Sequence, residues 1–140
     1  MENEMPIIIT LSITIFLLIL FLIALSSSRK IDSSQKSAVL KQLDDIKYSM
    51  STHNPSANRD GIVRLDALLS KSLQLKNKNS LNCGENLKKS KIFIGKSLNE
   101  KIWYYHKLRN QIVHDNIEIE DDDALQSYKV YSQVINKLLK

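Results

Sequence analysis

The sequence predicts an all-α protein, in which an N-terminal transmembrane helix is followed by a small helical domain. Three observations predict it. Residues 7–25 form an apolar run without a single charge, and 140 residues with three glycines and two prolines hold little material for a turn-rich β protein. Beyond residue 30 apolar residues recur three and four apart, the period of helices that bury one face. The expected division is an anchor over 1–28, a juxtamembrane helix and linker over 29–55, and a helical domain over 56–140. One small domain is all this length can hold after the anchor.

The anchor rests on length and flanks. Only Thr10, Ser12 and Thr14 interrupt the apolar run, and their hydroxyls can bond to their own helix backbone. At 1.5 Å per residue the run is about 28 Å long, close to the roughly 30 Å of a bilayer's hydrocarbon core. A cleaved signal peptide is the competing reading, with Ala24-Leu25-Ser26 imitating a cleavage site. Against it, no Lys or Arg precedes the run, which is also longer than a usual signal core. Acids stand before the span and Arg29-Lys30 directly after it. Positive charge on the inner side then puts the N-terminus outside and the domain in the cytoplasm.

Net charge is +5, and all 20 Lys and Arg lie after residue 28 with 13 of the 15 acids, so that part carries +7. Such a surface suits anionic lipid head groups or nucleic acid. The single cysteine, Cys83, has no partner for an intramolecular disulfide and reads as an ordinary loop or semi-buried thiol. No Cys/His set has metal-ligand spacing, so neither metal nor cofactor is expected.

Taken in order, residues 31–50 read as a helix whose Val39, Leu43, Ile46 and Met50 form a seam. That seam packs on the chain's own bundle or on a second subunit, the first being preferred. Residues 51–56 break the helix, with Asn54 held extended by Pro55 and His53 solvated. A helix from about 56–58 to 76 buries Ile62, Leu65, Leu68, Leu69 and Leu73, and Gly61 weakens it slightly. After a polar loop at 77–82, residues 85–94 form a short helix turning Leu87, Ile92 and either Phe93 or Ile94 inward, stopped by Gly95. The last helix opens at Asp121-Asp122-Asp123, acids that suit a helix N-terminus and point in three directions rather than at one metal ion. Its expected core stripe is Leu125, Tyr128, Tyr131, Val134 or Ile135, and Leu138.

The helix before it carries the only plausible chemistry. Leu98, Ile102, Tyr105, Leu108 and Ile112 share one stripe, Ser97 with Glu100 suggests a capping box, and Asp115-Asn116 supplies a stop. Trp103, Tyr104 and Tyr105 cover most of the circumference, so one or two of them face solvent or an interface. Near the end stand Arg109, Asn110 and His114. An arginine fork matches a phosphate, and a histidine exchanges protons near neutrality. Together they can cleave RNA without metal, the RNA's own 2′-hydroxyl acting as nucleophile. Five residues along an ideal helix amount to about 140° of rotation, so the two side chains share no face unless the helix loosens. Two such helices meeting across a symmetric dimer would bring one copy's histidine toward the other's arginine. His106 and Lys107, one turn earlier, either add positive charge near a phosphate or are solvated.

Arg109-Asn110 followed by three residues and His114, after a helix containing Arg64-Leu65-Asp66-Ala67-Leu68-Leu69 and before an acid-capped final helix, resembles a HEPN domain. The resemblance spans about 56–140 and implies an up-and-down four-helix bundle that dimerises around the motif. It implies Arg109 and His114 as a catalytic pair, with Asn110 as the polar orienting residue. Many members are metal-independent RNases found as toxins or defence and RNA-processing nucleases; others are binding modules without activity. With one N-terminal span ahead of such a domain, the chain is similar to bacterial single-pass membrane proteins.

Two functions follow. One is a membrane-anchored endoribonuclease acting on cytoplasmic RNA. The other is a non-catalytic, membrane-tethered dimerisation or interaction module. The expected partners are the lipid bilayer, RNA in the first case, a second copy of the chain, and an antitoxin or other protein whose identity the sequence does not give.

Overall fold

The computed structural model describes residues 4–27 and 31–140, and the side chains of residues 1–5, 7 and 23–30 lie outside that description. Every regular element among the described residues is helical: α1 (Glu4–Ser27), α2 (Ser33–Met50), α3 (Pro55–Asn77), α4 (Cys83–Ile94), α5 (Lys96–Asp115) and α6 (Asp121–Leu138). The all-α expectation holds. The chain divides into two compact units, Met1–Lys30 and Ile31–Lys140.

The first unit is α1. Ser12 Oγ donates to the Ile8 carbonyl at 2.8 Å and Thr14 Oγ1 to that of Thr10 at 2.7 Å, so these hydroxyls are satisfied within the helix. Among the described residues no helix is long and apolar enough to cross a membrane. The expected span, 7–25, has both its ends among side chains outside the description.

The second unit holds five helices, and α3 touches each of the other four. Ile62, Leu65, Leu68, Leu69 and Leu73 of α3 are all buried, as their spacing required. Val39, Leu43 and Ile46 of α2 are buried too, so the seam packs on the chain's own domain and α2 belongs to the same compact unit. At the crossing of α2 and α3, a Cβ on Gly61 would stand 2.4 Å from Met50 Cγ. Glycine there lets the side chain of Met50 lie against the α3 backbone.

Local chemistry sets the helix ends. Asp32 and Asn54 cap α2 and α3 by accepting the amides of Ser34 and Ser56, and Pro55 sits in the first turn, where it costs no hydrogen bond. Asn82 and Glu85 make a reciprocal capping box on α4. Gly95, at φ 88°, ends α4 and begins α5 in one residue. Its carbonyl accepts from Asn99 at 2.9 Å, so α5 starts before the expected Ser97–Glu100 cap, and Ser97 is already inside the helix. Asn116 closes α5 at φ 52°, as anticipated.

Three further expectations need correction. Ile92 is 89% exposed, because α4 turns Leu87, Ser90 and Ile94 inward instead. Leu125 is exposed as well, α6 burying Ala124, Ser127, Val130 and Tyr131 in its place. His53 is surface-exposed but not free: its Nδ1 lies 2.8 Å from Asp121 Oδ2, a carboxylate that also accepts from Asn58 Nδ2 at 2.7 Å.

Candidate functional site

Asp66 lies in the middle of α3's apolar face, 2% exposed, and a buried carboxylate needs partners. Three come from other helices. His106 Nδ1 of α5 is 2.8 Å from Oδ1, Tyr131 of α6 donates its hydroxyl to the same oxygen at 3.0 Å, and Arg109 Nε stands 3.3 Å from Oδ2. The Nε–H makes no directed hydrogen bond, so the arginine's hold on Asp66 is mainly the attraction of opposite charges. Arg109 also donates from Nη1 to Asn110 Oδ1 at 2.9 Å. The guanidinium is therefore gripped on two sides, with donors to spare.

A fourth group arrives from the start of α4. Cys83 Sγ is 4.0 Å from Asp66 Oδ1 and nearly buried. Burial pushes the Cys83 thiol well up, the Asp66 carboxylate adds to the rise, and Arg109 opposes it. The Tyr131 hydroxyl is likewise pushed well above its ordinary value, first by burial and then by the same carboxylate. Cys83 as found is a protonated thiol, not a ready nucleophile. The loop that delivers it is tied down by amides: Asn77 and Asn79 both donate to Asn86 Oδ1 at 2.9 Å, and Asn86 returns a bond to Asn79 and another to the Leu81 carbonyl.

Asp66, Cys83, His106 and Arg109 line one side of an open cleft of about 770 Å³, with Ser70, Lys71, Gln74 and Asn82 around it. Arg109 and Lys71 bring two positive charges to it and Asp66 one negative, which leaves the lining basic by one charge. Trp103 meets the His106 imidazole edge to face, with ring centres 5.6 Å apart, and Trp103 and Tyr105 pack on the core while Tyr104 is exposed. Of the expected site residues, Arg109 and Asn110 are brought together. His114 is not joined to them. α5 continues as regular helix through Asp115, so the 140° between Arg109 and His114 is kept, and the His114 side chain is exposed with no hydrogen-bond partner among the described residues. Arg59 of α3 bonds to Asn116 Oδ1 just beyond it. The histidine that does share a face with Arg109 is His106, three residues earlier.

Sequence reasoning singled out neither Asp66 nor Cys83 for this cluster and left His106 undecided. One signal was available: Asp66 interrupts an otherwise apolar stripe, and a charge placed there demands a buried partner. Compared with known proteins, the chain matches no family model, no curated protein and no solved structure.

Proposed function

We propose that the chain is a membrane-anchored HEPN-like domain, N-terminus outside and helical domain in the cytoplasm, that cleaves RNA without metal. The observation that carries this reading is the Arg109 guanidinium, fixed by Asp66 and Asn110 beside a basic cleft on the helix that also bears His114. A fixed fork contacts a phosphate with little ordering cost. In the reaction the RNA 2′-hydroxyl loses its proton and attacks the adjacent phosphorus. The 5′-oxygen of the next nucleotide then leaves with a proton, and a 2′,3′-cyclic phosphate remains. Arg109 stabilises charge on the phosphorane, and His114 moves a proton. Because a regular α5 keeps these side chains on different faces, the working pair is formed between two copies, His114 of one approaching Arg109 of the other.

A second reading is favoured by the same ion pair. If Arg109 serves only to neutralise Asp66, the motif face, where exposed Val113 lies one turn beyond Arg109, is a docking surface for a second copy or another protein. Incubating the full chain with RNA in excess chelator, beside His114→Ala, separates the two. Cyclic phosphate ends made by the parent and not by the variant support cleavage. RNA that is bound and left whole, or cut equally by both, leaves the interaction module.

A further inference from the structure

Three side chains from three helices converge where no sequence spacing announces them. The Asp66 carboxylate, the Cys83 thiol and the His106 imidazole each present one ligating atom, all within 4.8 Å of one another. We propose that they form a binding site for one divalent transition metal ion, zinc by preference, at the inner wall of the cleft.

The donor set is the first argument. One sulfur, one imidazole nitrogen and one carboxylate oxygen is a mixture that suits zinc and other borderline-soft ions, and not calcium or magnesium, which take oxygen. Geometry is the second. Zinc bonds of about 2.0–2.3 Å in a tetrahedron place ligand atoms roughly 3.3–3.6 Å apart. Here His106 Nδ1 and Asp66 Oδ1 are 2.8 Å apart, and Cys83 Sγ and Asp66 Oδ1 are 4.0 Å apart. Movements of about an ångström, within the reach of side-chain torsions, open one distance and close the other.

Surrounding groups already hold the carboxylate as a ligand must be held. Tyr131 donates to Oδ1 and Arg109 faces Oδ2, which leaves one lone pair of Oδ1 aimed at His106 and Cys83. On binding, the thiol gives its proton to solvent and the sulfur bonds the metal. His106 passes its Nδ1 proton by way of solvent to Nε2, or to bulk water if the ring was doubly protonated, and the freed Nδ1 lone pair bonds the ion in place of the hydrogen bond to Asp66. Two anionic ligands balance the ion's two charges, and Arg109 keeps its contact through Oδ2. Three protein ligands fill three positions, and the open cleft gives water the fourth. This inference does not depend on RNA cleavage, since metal uptake is measured without RNA.

Cobalt(II) titrated into the full-length chain in detergent tests it. A saturable signal at one equivalent is expected, with the near-ultraviolet sulfur-to-cobalt charge-transfer band and the intense visible bands of a tetrahedral ion, displaced by zinc. Cys83→Ser should lose the charge-transfer band, and His106→Ala should weaken zinc binding at least tenfold, while His53→Ala and His114→Ala bind as the parent does. If the parent protein takes up no cobalt at micromolar concentration, or binds it without the sulfur band, the site does not exist. That result needs no variant to fold. Parent-like binding by both the Cys83 and His106 variants would equally overturn it.

Discussion

Asp66 and Arg109 face each other at 3.3 Å across the junction of α3 and α5, one almost completely buried and the other a third exposed. Removing a buried partner leaves the other charge uncompensated, and the partial exposure of Arg109 tempers the cost. Asp66→Asn should destabilise the domain by about 2 kcal/mol. Urea unfolding would show it as a lower midpoint at unchanged slope.

Arg109→Lys tests the fork rather than the charge. An ammonium can still neutralise Asp66, yet it cannot bond Asn110 and a phosphate in one plane. Stability should change little while RNA cleavage falls by about 10² or more, and His114→Ala should lower the rate by about 10²–10⁴ with the fold intact. Single-turnover rates with RNA, beside DNA of the same sequence that stays uncut, provide the check.

Gly61→Ala sets two effects against each other. Alanine favours a helix by about 1 kcal/mol over glycine, but its Cβ would enter the space of Met50 Cγ, and overpacking costs about 1–3 kcal/mol. The single variant should be neutral or less stable. In a Met50→Ala background the same change should be stabilising, a reversal of sign that thermal unfolding would reveal.

Asp121 has a carboxyl held below the usual 3.8, first by the hydrogen bond from Asn58 and next by that from His53. A depressed folded value contributes stability that is complete above the unfolded pKa and fades as pH drops through the folded one. The link between the α2–α3 loop and the start of α6 should therefore persist at pH 4 and weaken only in stronger acid. Carboxyl carbon shifts followed by NMR should place the Asp121 midpoint below 3.8, and Asn58→Ala should return it toward that value.

If α1 anchors the chain, alkaline carbonate should leave the protein in the membrane pellet, with its N-terminal segment still attached. Release into the supernatant, or a mature chain beginning near Ser27, would refute the anchor.

Much of the fold was legible because large apolar residues mark a helix's inner face when they fill it. The α3 stripe from Ile62 to Leu73 is such a case. Misreadings occurred where small polar residues define the face. Ser90 and Ser127 are fully buried, the latter returning its hydroxyl to the Ala124 carbonyl at 2.7 Å, and a search for bulk chose Ile92 and Leu125 instead. In the cleft the difficulty is different in kind. Asp66, Cys83 and His106 are far apart in the chain and meet only because α3, α4 and α5 dock, which no local period encodes. Arg109 and Asn110 were visible because adjacent residues need no docking to meet.

The central place of α3 has a kinetic consequence. Its neighbours α2 and α4 adjoin it in sequence and can dock early, but Leu65, Leu69 and Leu73 share their core with Tyr131, Val134 and Leu138 of the much later α6. Loop-closure entropy has to be met before that pairing contributes anything. During synthesis α3 therefore waits with an apolar flank open until α6 has been made. Mutations that weaken α6 should lengthen this exposed interval, and with it the time available for a chaperone to bind or for neighbouring nascent chains to aggregate.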